Sequence, residues 1–347
     1  MSTVGVIANP MSGRDVRRLA ARARRENPED KQNQIARAVV GAAAAGATRF
    51  LLVPDCFRIS RSAVENMNVG AEFEFLDLGA LDTTPADTLR AVRAMRAAGA
   101  GALLVLGGDG TNRIVAKAWS DAPIVPLSTG TNNVFPVMQE ATIAGASAGI
   151  IASGSLPLAE GARRAKRVRV EYASGECDLA VVDAVALADD SLGNLLPIDP
   201  DKLRCLVLAR AEPSAVGTSP IGGLLQPCGR DDDFGVEVRC TGAQAPGSQP
   251  LLVAVSPGLY RRAHIAGVRK LAFGERTTIE GPCLLAFDGD RTRELAAGER
   301  ADLWVDREGP WVIDADRTLR AAGQEGVFLD RHFHDGLDHG GGGASCC

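Results

Sequence analysis

Between residues 3 and about 155 the chain switches repeatedly between short apolar runs and longer stretches of helical spacing, and this alternation limits the fold more than any other feature. The apolar runs are residues 4–8, 49–53, 72–77, 102–106 and 124–126; residues 14–25, 29–45, 60–67, 85–98 and 112–119 read as helices between them. Strands that alternate with helices at this rhythm predict a parallel sheet covered on both faces. Thr83-Thr84-Pro85 makes a good helix entry, and Gly99 a matching exit. From about residue 165 the texture changes to period two, as in Val168-Arg169-Val170-Glu171-Tyr172 and Val236-Glu237-Val238-Arg239-Cys240, with Gly, Pro and Asp clusters between runs. The expectation is an α/β domain over 1–155, a mainly antiparallel β domain over 156–325, and a His/Gly/Cys tail over 326–347 with no fixed structure. Residues 312–319 could return to the first domain.

Composition is that of an ordinary globular protein, and a formal charge of −5 argues against nucleic acid or acidic membrane as the main partner. The dense arginines of residues 14–25 fit a solvated helix, with a phosphate-attracting role for Arg14 as the alternative. The first residues carry no basic leader, and the most apolar window, residues 141–152, is far shorter than a spanning helix of ~20 residues. A soluble, cytoplasmic protein is expected. Six of the cysteines are scattered without a C-x-x-C pair, so neither a zinc site nor a disulfide framework is written there. Three of the four histidines lie in the tail, where a metal or redox role is the alternative to disorder.

The sharpest local feature is Gly107-Gly108-Asp109-Gly110-Thr111, directly after one apolar run and before the helix read from Asn112. A strand, a glycine loop and a helix N-terminus together bring backbone N–H groups close to a phosphate. A carboxylate in such a place suits metal-linked positioning or general-base work on an attacking hydroxyl; the bland alternative is a turn with Asp109 as the helix cap. Ser128-Thr129-Gly130-Thr131-Asn132-Asn133 and Asn9-Pro10-Met11-Ser12-Gly13 are two further loops of small donors after strands. Parallel strands would deliver all three to one carboxyl edge. No G-x-x-x-x-G-K-[ST] run occurs, so this is not a P-loop NTPase.

These strings resemble a known group. Gly107–Thr111 matches the GGDGT signature of the NAD kinase/diacylglycerol kinase superfamily, and Asn9–Gly13 looks like the NPxSG loop of its lipid-kinase branch. The longer runs 107–113 and 128–136 look most like ATP-NAD kinase-like proteins of the acetoin-catabolism AcoX type. Ser256–Tyr260 and Phe287-Asp288-Gly289-Asp290 extend the resemblance into the second domain. It implies a two-domain kinase with its cleft between the domains, using ATP or polyphosphate and Mg²⁺, with a small-molecule acceptor. Asn9, Ser12, Gly13, Gly107, Gly108, Gly110, Thr111, Asn112, Thr129, Gly130, Thr131, Asn132 and Asn133 would hold the phosphates. Asp109 and Asp288 would be catalytic, Asp109 also through Mg²⁺, and Asp183 would meet the acceptor. A homo-oligomer is expected by the same resemblance.

One departure bears on the acceptor. NAD kinases carry Asn before the acid on an early strand of the β domain; here the run is Val181-Val182-Asp183, and residues 217–223 offer no Tyr to stack on adenine. For Asp288 a plain Asp-Gly turn is the alternative reading. The functional readings are an NAD kinase, a kinase for another small hydroxylated metabolite linked to acetoin-type catabolism, and a nucleotide-binding regulator without turnover.

Overall fold

The computed structural model describes residues 1–12, 27–130 and 132–329. In the first part the elements are β1 (Thr3–Ala8), α1 (Pro28–Ala44), β2 (Arg49–Leu52), α2 (Ile59–Val64), β3 (Glu72–Phe75), α3 (Pro85–Ala97), β4 (Ala102–Gly107), α4 (Asp109–Ala118), β5 (Pro123–Ser128) and α5 (Ala141–Ser153). A short helix α6 (Leu158–Gly161) and strand β6 (Ala162–Arg164) follow. Local chemistry sets the starts of α1 and α3, the latter at Pro85 as read. Pro28 and Pro85 open α1 and α3, and capping boxes pair Asn27 with Asp30 and Thr84 with Asp87.

The second part runs β7 (Arg167–Tyr172), β8 (Cys177–Ala180), β9 (Asp183–Leu187), β10 (Leu203–Leu208), α7 (Ser219–Gly223), β11 (Phe234–Cys240), β12 (Gln249–Ser256), β13 (Leu259–Ala272), β14 (Thr277–Glu280), β15 (Cys283–Phe287), β16 (Asp290–Leu295) and β17 (Arg300–Asp306). The chain ends, as described, in β18 (Trp311–Ile313) and α8 (Ala315–Gln324).

The first sheet has the order β3-β2-β1-β4-β5-β18-β6, parallel except where β6 meets β18. After β1 the chain winds outward through β2 and β3, then crosses back to lay β4 on the other side of β1. The carboxyl ends of β1 and β4 therefore flank a topological switch point, where open α/β sheets bind ligands. Two antiparallel sheets, β12-β13-β11-β10-β9-β15-β16 and β14-β17-β7-β8, form the second part. Val168, Val207, Leu285, Phe287 and Val305 are fully buried in one cluster between them. The outer face of the larger sheet buries Val185, Leu208, Ile221, Val253 and Ala286 in a second cluster.

The first sheet also takes in strands from beyond residue 155. β6 and β18 pair into the first sheet, so the residues between them form a β insert. The chain crosses into and out of the insert side by side, with Ala165 N–H donating to Pro310 O at 2.8 Å and Gly309 N–H to Ala165 O at 2.9 Å. The segment expected to return does so, as β18 and the start of α8. Helix α5 was not read from the sequence. It is apolar on nearly every side and packs backbone to backbone on α1. A Cβ on Gly145 would lie 1.9 Å from Ala38 O, and one on Gly41 2.0 Å from Thr142 O. Only glycine permits that approach. The readings for residues 14–25 and for the tail lie outside the described residues. Among the described residues, no helix is long and apolar enough to cross a membrane.

Candidate functional site

At the switch point three loops are laced together by their own side chains. Asn9 donates from Nδ2 to Thr111 Oγ1 at 2.9 Å and takes the N–H groups of Met11 and Ser12 on its Oδ1. Thr129 Oγ1 donates to Ser12 Oγ at 2.9 Å, and Asn133 Nδ2 to Ser128 Oγ at 2.8 Å. Underneath, the buried Lys31 of α1 donates from Nζ to the carbonyls of Asn9 (2.8 Å), Pro10 (3.2 Å) and Ser12 (2.6 Å). The ammonium thus fixes the loop after β1 from behind. Nothing in the helical spacing of residues 29–45 distinguished Lys31 from a solvated charge.

Helix α4 starts earlier than its sequence pattern, at Asp109, with Gly108 as its cap. The N–H groups of its first turn have no partner within the helix, and Gly110 and Thr111 border the cleft. Asp109 is therefore not the cap. Its Oδ1 accepts the amides of Val134 (3.1 Å) and Phe135 (2.8 Å), tying the loop after β5 to the loop after β4. Behind that peptide, buried Arg210 donates from Nη1 to the carbonyls of Val134 and Phe135 at 3.0 and 3.3 Å, and its guanidinium lies 4.7 Å from the Phe135 ring centre. Arg210 was not legible in the sequence, because its role exists only once the two parts are packed.

The β insert supplies the facing acids. Asp288, in the left-handed region at φ 51°, turns its carboxylate under the β8–β9 turn. There it accepts the amides of Val181 (2.9 Å), Val182 (2.8 Å) and Asp183 (3.2 Å). Asp183 is buried at the start of β9, with Thr218 Oγ1 donating to its Oδ2 at 2.5 Å, while its Oδ1 has no hydrogen-bond partner. Burial pushes the Asp183 carboxyl up to about 6, and the nearby Asp109 charge pushes the same way against the Thr218 hydrogen bond. Asp288 is also raised well above the usual carboxylate range, first by burial and then by repulsion from Asp183 and Asp109, with the Val181 amide opposing. One cluster of three acids thus spans the junction. Arg113 of α4 fastens that junction by pairing with Asp178 of β8 at 3.0 Å.

These groups line one cavity of about 520 Å³ running from the loop after β1 to the outer face of the larger β sheet. Asn9, Ser12, Gly108, Asp109, Gly110, Thr111, Thr129, Asn132, Asn133, Asp183 and Asp288 all border it. Three expected phosphate holders do not. Asn112 is fully buried, with its Nδ2 on Gly108 O, because it follows the helix's inward face. Gly107 makes room for Thr111, whose Cβ would be 2.6 Å from an added Cβ. Gly130 uses its carbonyl to accept Ser128 Oγ–H at 2.6 Å. Gly13 and Thr131 lie outside the described residues.

Residues 4–155 match the family model of the ATP-NAD kinase N-terminal domain, and residues 166–308 that of the acetoin catabolism protein X C-terminal domain. The acetoin catabolism protein X of Cupriavidus necator is 32% identical over 332 residues, covering 92% of each chain. The chain belongs to the acetoin catabolism protein X family. Among solved structures, yeast NADH kinase complexed with NADH is similar with a TM-score of 0.52 at 10% identity, over 95% of this chain and 89% of that one. This family member therefore has the NAD kinase-like fold expected from its motifs, an α/β domain followed by antiparallel β sheets. The boundary between the two family models falls at residues 155–166, where the chain enters the β insert.

Proposed function

We propose that this chain is a phosphotransferase that moves a phosphoryl group from ATP or polyphosphate to the hydroxyl of a small metabolite. The observation that carries the reading is the meeting of two halves in one cleft: a laced phosphate cradle at the switch point and a facing acid cluster with a raised carboxyl. The cradle would take the donor phosphates on the first-turn amides of α4, with Asn9, Ser12, Thr111 and Thr129 shaping its walls.

The two acids nearest the cleft divide the work. Asp109 is held by the Val134 and Phe135 amides and stands beside Gly108 and Gly110, on the phosphate side. Asp183 has an unpartnered Oδ1 and a carboxyl raised to about 6, closer to neutral pH than an ordinary carboxylate. That makes Asp183 the better general base. The acceptor oxygen forms a bond to phosphorus as its proton passes to Asp183, and the bond from phosphorus to the bridging oxygen breaks. ADP or the shortened polyphosphate leaves. Asp288 holds the β8–β9 turn through the Val181, Val182 and Asp183 amides, and its own backbone hydrogen bond opposes the rise at Asp183.

Among the described residues, no three His, Cys, Asp or Glu side chains stand close enough to form a metal cage. That fits Mg²⁺ entering on the donor phosphates, since this ion is usually held through one or two carboxylates plus phosphate oxygens. Asp109 and Asp290, whose Oδ2 would be 2.9 Å from a Cβ on Gly110, would hold it. When bound, Mg²⁺ supplies charge neutralisation on the transferred group.

The test is a phosphoryl-transfer assay on the purified chain with Mg²⁺, ATP or polyphosphate, and NAD⁺, NADH or small hydroxylated metabolites, including acetoin, as acceptors. Turnover that Asp183→Asn abolishes while nucleotide binding persists supports the reading. Nucleotide binding with no phosphorylated product from any acceptor refutes it and leaves a nucleotide-binding regulator.

A further inference from the structure

Resting on the assignment of Asp183 as the residue that meets the acceptor hydroxyl, we infer that the acceptor end of the cleft takes a small uncharged hydroxycarbonyl compound, its hydroxyl on Asp183 and its carbonyl oxygen on Arg291. Two buried polar atoms at this end have no partner: Asp183 Oδ1 and Arg291 Nη2. Both residues border the same cavity and are only 4% exposed. One atom accepts and the other donates. A buried orphan of either kind costs free energy unless a ligand or water satisfies it.

Their placement follows from strand register. Asp183 and Val185 lie on one face of β9; Ala286 of β15 pairs with both Val185 and Arg291 of β16. Arg291 therefore shares the Asp183 face, two strands (~10 Å) across the sheet and two residues (~7 Å) along it. Both side chains border the one cavity on that face. Apolar side chains, among them Leu196, Ile198, Leu203, Ile221 and Val255, border the same cavity. Such a wall suits an aliphatic skeleton.

The pairing of Arg291 favours an uncharged ligand at this end. Arg291 is the one cation among the described residues that border the cavity, and its Nε already pairs with buried Asp190 at 3.2 Å. Asp109, Asp183, Asp288 and Asp290 border the same space. A neutral carbonyl asks only for the spare N–H of a guanidinium already neutralised by Asp190.

The experiment is ligand-observed NMR titration of the full chain with C4 and C5 hydroxyketones, with the matching alcohols that lack the carbonyl, and with NAD⁺. The hydroxyketones are expected to bind ~10-fold or more tightly than the alcohols, because the alcohols leave Arg291 Nη2 unpaired. Arg291→Lys keeps a cation against Asp190 and removes the forked donor, so it should abolish that preference without unfolding the chain. Equal binding of the alcohols, or no hydroxyketone binding beside tight NAD⁺ binding, overturns the inference. Hydroxyketone binding with the expected Arg291 dependence but no phosphoryl transfer supports this subsite and refutes the kinase reading. Formation of NADP⁺ without hydroxyketone binding does the reverse.

Discussion

Replacing Asp183 by Asn should make the protein more stable at pH 8 while removing its turnover. The Asp183 carboxyl is raised from an ordinary 3.8 to about 6, so the folded chain holds a proton there that the unfolded chain has already released. The sign follows from linkage: the contribution is fully present below pH ~4 and is lost as pH rises through about 6. The shift of about two units corresponds to about 3 kcal/mol of strain at pH 8. Asn cannot ionise, and its amide oxygen can still accept the Thr218 hydroxyl that now bonds Oδ2 at 2.5 Å. Neutralising residue 183 also removes one of the charges that raise Asp288. Urea unfolding of wild type and Asp183→Asn at pH 4.5 and pH 8 reads the effect directly. The variant should gain about 2–3 kcal/mol at pH 8 and much less at pH 4.5. A variant equal to or weaker than wild type at pH 8 would refute the argument that Asp183 sits in strained burial. In the same frame, wild-type kcat should rise with pH through about 6 and then level off, and a profile flat from pH 5 to 8 would remove Asp183 from the proton transfer.

Gly145→Ala should destabilise the fold by about 2 kcal/mol or more: the ~1 kcal/mol helix-propensity gain is outweighed because the new Cβ would lie 1.9 Å from Ala38 O. Thermal melts check the sign, and a rise in Tm would show that α1 and α5 separate at little cost. Lys31→Met should weaken ATP binding ~10-fold or more by freeing the carbonyls of Asn9, Pro10 and Ser12, read by nucleotide titration; unchanged affinity would detach that loop from the donor site. Arg210→Met should lower kcat ~10-fold or more with a smaller change in the KM for ATP, since it loosens the 134–135 peptide that holds Asp109, and partial recovery in Arg210→Lys would separate positioning from bulk packing.

Much of the site was legible because its chemistry is local. Gly108, Asp109, Gly110 and Thr111 follow an apolar strand in sequence and form the first turn of α4 in space. Asp183 stood out as the one acid in an apolar run, and the buried strand end where it sits explains why. What escaped reading depends on neighbours remote in the chain. Lys31 looks like any helix charge until its Nζ meets carbonyls some 20 residues earlier. Arg291 gains its partner and its orphan N–H only when the segment carrying Asp190 folds over β16. Helix α5 hid for a different reason: with apolar residues on nearly all sides it has no polar stripe, so helical periodicity left no trace. Asn112 misled in the opposite way, since its motif position says nothing of which way a helix turns it.

The place of β18 between β5 and β6 gives the chain a built-in order of assembly. Until residue 311 has been synthesised, β5 presents an unpaired edge at Pro123 and Ile124, and β6 has no strand to join. The first sheet therefore closes only after the whole β insert exists, and α8 then seals the closure against α5 and α6. Such long-range closure slows folding and leaves the nascent edge open to pairing with other chains. A chain broken off anywhere within the insert carries the loops after β1, β4 and β5, yet it lacks the strand that completes their sheet. Reaching β18 is thus a condition of a finished first sheet, enforced by topology.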